Sequence, residues 1–225
     1  MHVARYMQSR TNAKGKPAPI RATREKALLS HIFNMARTWG FTDKPNPCAG
    51  IRGKVSRRDR YITDDELKRI FVFCSPPLAD AVELAYLIGQ RPADVRSVLR
   101  ADIQEGAIWI QQNKTGTKVR IEISERLKAV INRCVERANS FKVSSLYLVL
   151  DETGQPYNEW TLRKHWREAC KAAGVTNAQF RDLRAKAGSD CEDAEAAKDL
   201  LAHENMRTTE GYLRNRRGKL VKAAR

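Results

Sequence analysis

A mostly α-helical fold with one small antiparallel sheet is what this sequence predicts. Apolar residues recur at spacings of three and four through most of its 225 residues. The pattern switches to alternation over AIWIQQNKTGTKVRIEI, residues 107–123. A short apolar run, SLYLVLD at 145–151, has the length of a strand rather than of a helix.

Taken in order, residues 1–20 are basic, contain Gly15, Pro17 and Pro19, and read as a flexible arm. A helix is expected from Thr23 to Trp39, where Ala27, Leu28, Ile32, Met35 and Ala36 keep helical spacing until Gly40 stops it. DKPNPCAGIRGKVSRRDR, 43–60, reads as a linker. It divides the chain into a short helical segment, 1–55, and a larger domain, 56–225. The larger domain opens with Thr63-Asp64-Asp65-Glu66, the pattern of a capping box, before Leu67, Ile70 and Phe71. Pro76-Pro77 should break that helix, and another should run from Leu78 to about Gly89. In 107–123, Ile108 and Ile110 alternate with their neighbours, as do Val119, Ile121 and Ile123. Lys114-Thr115-Gly116 lies between the two sets, so a β-hairpin is expected. Ser124 to Asn139 is helical again, as are NEWTLRKHWREACKAAG, DLRAKAGSDCE and AEAAKDLLAH after residue 158.

Composition excludes several classes of function. No apolar run approaches the roughly 20 residues that span a bilayer, and MHVARYMQSR lacks the apolar stretch of a signal peptide, so a cytoplasmic protein is expected. The five cysteines and four histidines are scattered without ligand spacing, which argues against disulfides and structural zinc. The net charge of +16 is uneven: residues 1–60 carry +11, residues 61–212 carry −1, and residues 213–225 carry +6. A near-neutral body with basic ends points to a polyanion, foremost nucleic acid.

Six side chains could do chemistry. Arg91 precedes Pro92, which keeps it out of helical geometry and at a bend, with Asp94 placed to fix its guanidinium. Arg181 and Arg184 in FRDLRAKAG are three apart, so they share a helix face, where an anion such as phosphate would relieve their repulsion. Lys114 stands at the hairpin turn, with Lys118 as a rival. His203 ends an apolar run, and Tyr212 follows nine residues later. Taken singly, each has a plainer explanation: an Arg–Asp pair, a solvated turn lysine, a packing tyrosine.

Their order changes the reading. LIGQRPADV, QQNKTGTKVRI, FRDLRAKAG and LLAHENMRTTEGY resemble, in this sequence of boxes, the catalytic domain of the tyrosine recombinases, the phage integrase family. The resemblance runs from about Arg60 to Tyr212. It implies that family's fold and site-specific DNA recombination without metal or cofactor. In this reading Tyr212 attacks a phosphorus to give a 3′-phosphotyrosyl bond, Arg91 and Arg184 hold the non-bridging oxygens, Lys114 protonates the departing 5′-oxygen, and His203 hydrogen-bonds a phosphate oxygen. It further implies duplex DNA as partner, a monomer in solution that assembles into a homotetramer on paired sites, and accessory DNA-bending proteins. Two positions depart from the family pattern. Arg181 stands where the second box usually has histidine, and Ala202 stands where glycine often precedes the last-box histidine. An arginine stays protonated, so Arg181 is read as a second anion clamp, with the Tyr212 proton passing to water or another group. Residues 21–51 resemble only the last part of the family's core-binding domain, as in a truncated form or a remnant. A type IB topoisomerase uses the same residue set, and a DNA-binding remnant without cleavage is the reading from another class.

Overall fold

The computed structural model describes residues 2–54, 58–141 and 145–213. The chain divides into two compact units, Met1–Arg58 and Asp59–Arg225.

In the first unit, α1 (His2–Ser9) and α2 (Pro19–Thr38) are joined by a turn closed by a bridge between Thr11 and Pro17. The expected flexible arm is therefore a helix and an ordered turn. Pro19 opens α2, where no amide donor is needed, and Pro17 ends the turn. Glu25 on α2 accepts from Tyr6 and, at 2.9 and 3.0 Å, from Arg10, which pins α1 down. The expected linker also folds back in part. Asn46 donates to Ser30 Oγ at 2.9 Å and to Asn34 Oδ1 at 2.7 Å, and Cys48 is buried. Residues 55–57 of that stretch lie outside the described residues.

The second unit is built around α4 (Pro76–Ile88), whose Leu78, Ala81, Val82, Leu84, Ala85 and Ile88 are all buried. Pro76 and Pro77 do not merely end the preceding helix, α3 (Asp64–Val72). They occupy the first turn of α4 behind a Ser75 cap. Thr63 and Glu66 form the expected capping box. After α4 come α5 (Pro92–Ser97) and a three-stranded antiparallel sheet in the order β1-β2-β3. The strands are β1 (Ile103–Gln104), β2 (Ala107–Gln111) and β3 (Lys118–Glu122), so the predicted hairpin gains a short third strand. Ile108 faces Ile121 and Ile110 faces Val119, with Ile108 and Ile110 buried. Helix α6 (Glu125–Ser140) packs Leu127, Val130, Ile131 and Cys134 into the core.

The segment 145–151 is not a strand. It makes only isolated bridges, Leu99 to Tyr147 and Leu150 to Pro156. Its Leu148, Val149 and Leu150 are all buried. The apolar run thus reflects burial in the core rather than membership of a sheet. Four helices complete the unit: α7 (Glu159–Ala172), α8 (Asp182–Ser189), α9 (Ala194–Leu201) and α10 (Met206–Glu210). The mostly helical class with one small antiparallel sheet is borne out.

Helix α8 is almost wholly buried and is fixed on one side by Lys186. Its ammonium donates to Asp190 Oδ2 at 2.8 Å and to Tyr61 at 2.9 Å, pairs closely with Asp64, and lies over the Tyr61 and Tyr86 rings. Burial alone would lower the pKa of this lysine. The bonds to Asp190, Asp64 and Tyr61 outweigh that and hold it above the usual range. Among the described residues there is no group of metal-ligating side chains, and no helix is long and apolar enough to cross a membrane. The basic segment after residue 213 lies outside the described residues.

Candidate active site

The site begins where α4 stops. Gly89 takes a left-handed conformation, φ 61°, which favours glycine, and a Cβ there would crowd the Leu200 side chain at 3.0 Å. Arg91 follows two residues later, held extended ahead of Pro92 at φ −66° and ψ 152°, as the dipeptide dictates. Its Nη1 donates to Gln112 Oε1 at 2.7 Å and lies 3.9 Å from Asp94 Oδ2. Asp94 is buried and does more than pair with Arg91. Its Oδ1 accepts from the Asn113 amide at 2.8 Å and from the Asn113 side chain at 3.1 Å. The hairpin turn that carries Lys114 is therefore bolted to the helix that Arg91 caps.

Arg184 on α8 is only 2% exposed. Its Nη1 donates to the Gly89 carbonyl at 2.8 Å and to Gln90 Oε1 at 3.2 Å, and its Nη2 donates to the Leu201 carbonyl at 2.6 Å. Nη2 also lies 3.1 Å from His203 Nε2. A guanidinium has no lone pair to offer, so Nε2 must be the acceptor. The imidazole proton then sits on Nδ1, 3.1 Å from Thr209 Oγ1. Helix α10 supplies Thr209, fully buried, and its last turn delivers Tyr212. The Tyr212 ring lies 5.0 Å from the His203 ring, and Arg184 Cζ lies 5.4 Å from the Tyr212 ring centroid. Burial, then the charges of Arg184 and Arg91, push the His203 pKa down to about 4, so the ring is neutral at pH 7. Burial, then Arg91, lower Arg184 to about 10, which leaves it charged.

Four of the six predicted residues thus form one connected group: Arg91, Arg184, His203 and Tyr212. Lys114 is exposed on the turn between β2 and β3. It is tied to the group through its neighbours, Asn113 on Asp94 and Thr115 on Gln112, whereas Lys118 opens β3. Arg184 turns into the core, whereas Arg181, the residue before α8, is exposed. Arg181 lines a cavity of about 600 Å³ with Arg91, Arg96, Arg163 and Arg167, over an apolar floor that includes Trp166 and Phe180. In this state His203 also lacks the Nε2 proton needed to donate to a phosphate, because that nitrogen faces Arg184.

Sequence reasoning passed over Gln90, Gln112 and Thr209. The signal for Gln112 was present: residues 108, 110 and 112 continue the inward face of β2, and glutamine takes the third position, fully buried.

A sequence profile of the phage integrase family matches residues 60–218. The integrase of Enterobacteria phage 434 is 28% identical over 219 residues, and that of Escherichia phage lambda is 27% identical over the same length. Each alignment covers 92% of this chain and 60% of the relative, so the chain spans about three-fifths of the length of these proteins. A lambda integrase dimer bound to a COC′ core site superposes with a TM-score of 0.80 at 23% identity, covering 99% of this chain and 65% of that one. XerH recombinase bound to a palindromic difH substrate superposes at 0.72 with 13% identity, covering 94% and 67%. The chain belongs to the phage integrase family.

Proposed function

We propose that this chain cuts and rejoins duplex DNA as a site-specific recombinase, with Tyr212 as nucleophile and no metal or cofactor. The observation that carries the reading is the joint placement of Arg91, Arg184, His203 and Tyr212, drawn from three separate stretches of sequence. The phenolic oxygen forms a bond to phosphorus as the P–O5′ bond breaks. The phenolic proton leaves to solvent, and the Lys114 ammonium supplies one to the 5′-oxygen. Arg91 and Arg184 stabilise the charge gathering on the non-bridging oxygens, and loss of one such preorganised donor costs about 10²–10³ in rate. Arg184 keeps one donor, Nε, without a partner among the described residues, and phosphate would also compete for the Nη2 proton now directed at His203. That competition frees His203 Nε2 to take up a proton and donate.

The arginine-lined cavity beside Arg91 supports contact with the sugar–phosphate backbone next to the cut, with Arg181 as a second clamp. We further propose residues 1–55, with their net charge of +9, as part of a DNA-clamping core-binding segment, and residues 56–225 as the catalytic domain. Lambda integrase is described as a dimer on a core site and as a tetramer on a Holliday junction. By analogy, this chain is proposed to act as a homotetramer on paired sites.

The test is incubation with a nicked duplex that traps covalent intermediates. An adduct that Tyr212→Phe abolishes supports the reading. Duplex binding without an adduct identifies a DNA-binding remnant, and relaxation of supercoiled DNA by the monomer identifies a topoisomerase.

A further inference from the structure

The chemistry-bearing residues are joined by a group outside the family boxes' expected set. Gln112 is fully buried at the end of β2, and its side chain makes four hydrogen bonds, each to a different part of the site. Its Oε1 accepts from Arg91 Nη1 at 2.7 Å and from Thr115 Oγ1 at 2.9 Å. Its Nε2 donates to Gln90 Oε1 at 2.7 Å and to the Leu201 carbonyl at 3.1 Å. Gln90 Oε1 in turn accepts from Arg184.

The direction of this relay is fixed at both ends. Arg91 can only donate and the Leu201 carbonyl can only accept, so the Gln112 amide has a single orientation. Gln90 cannot flip either, because its own Nε2 donates to the Ile88 carbonyl at 3.0 Å and the Leu200 carbonyl at 2.7 Å. The two buried glutamine amides have their donors and acceptors matched, which holds both in one arrangement.

We propose that Gln112 is the positioning residue of this site: through one amide it sets the Arg91 guanidinium, the turn bearing Lys114, the Gln90–Arg184 pair and the segment entering His203 in register with one another. The functional consequence rests on the cleavage reading above; the positioning itself does not. Substitution by glutamate would keep the acceptor toward Arg91 but set a carboxylate against the Leu201 carbonyl and Gln90 Oε1. Protonation of that carboxylate would restore one acceptor and one donor.

Two variants of the full chain test this, Gln112→Met and Gln112→Glu. Single-turnover cleavage at saturating protein should fall by about 10²-fold in Gln112→Met, the scale of one lost preorganised donor. Duplex affinity, measured in a Tyr212→Phe background, should stay within about threefold, because phosphate attraction rather than site geometry dominates binding. For Gln112→Glu the deficit relative to wild type should shrink as pH is lowered from 8 toward 5. Cleavage within about threefold of wild type in Gln112→Met, or a Gln112→Glu deficit that ignores pH, overturns the proposal. Should the wild-type chain form no adduct, the recombinase reading fails. The positioning claim is then decided by nitrogen NMR of the guanidinium groups, with Arg91 assigned by its loss in Arg91→Lys. Motional averaging of the Arg91 signal in Gln112→Met supports positioning, and an unchanged signal refutes it.

Discussion

Arg184 lies with its guanidinium carbon 5.4 Å from the centre of the Tyr212 ring, and its two Nη atoms are already committed to the carbonyls of Gly89 and Leu201. The residue is structural, and in the cleavage proposed above it would also hold phosphate. Arg184→Lys keeps the charge but offers one point donor where a planar fork spanned two chain segments. Cleavage is expected to fall about 10²–10³-fold. Stability should fall by about 2–4 kcal/mol, because buried carbonyls lose their donors. Urea denaturation and single-turnover assays on the same preparation check both.

His203 provides a pH signature. Its folded pKa near 4 lies below its ordinary value of 6.5, so the unfolded chain binds the proton more readily. The stability contributed by the neutral buried ring is present above pH 6.5, is lost progressively as pH falls toward 4, and changes no further below that. Wild-type stability should therefore drop across this window by roughly 1–3 kcal/mol more than that of His203→Gln. Proton NMR should find the ring titrating near pH 4 in the free chain. Bound duplex should raise that value, because phosphate offsets the Arg184 and Arg91 charges that help depress it.

Ala202 ends α9 in a left-handed conformation, φ 48° and ψ 53°, which explains why glycine suits this position in the family. Ala202→Gly should relieve the Cβ strain and raise stability by about 0.5–1 kcal/mol, once the greater freedom of glycine in the unfolded chain is subtracted. Thermal melts at matched concentration would detect the gain.

Arg181 lines the arginine-rich cavity together with Arg91, a member of the Arg184 group. Arg181→Ala should weaken duplex binding and lower the slope of log K against log salt by about 0.9, one phosphate's worth. Cleavage at saturating protein should suffer less than in Arg184→Lys. Fluorescence anisotropy at several salt concentrations measures the slope.

Much of this was legible in the residues, and the failures have physical causes. Arg91 before Pro92, the alternation through Ile108 and Ile110, and the spacing of His203 and Tyr212 depend on local rules, and the structure follows them. The spacing of Arg181 and Arg184 did not tell that one is buried and the other exposed, because depth depends on what α8 packs against. Residues 1–20 were read as an arm because prolines mark loops as often as helix starts. Glu25, which ties Tyr6 and Arg10 to α2, is a tertiary partner that no local pattern announces. The same holds for Gln90 and Gln112, whose importance lies in whom they meet across the fold.

The central claim is that the Tyr212 phenol, and no other group, takes the DNA. Trypsin digestion of a trapped protein–DNA adduct, followed by mass spectrometry, tests it directly. Cleavage after Arg207 and Arg214 isolates TTEGYLR, residues 208–214. The account predicts a nucleotide remnant on that peptide, assigned to Tyr212. A remnant on any other peptide, or an adduct that persists in Tyr212→Phe, would contradict it.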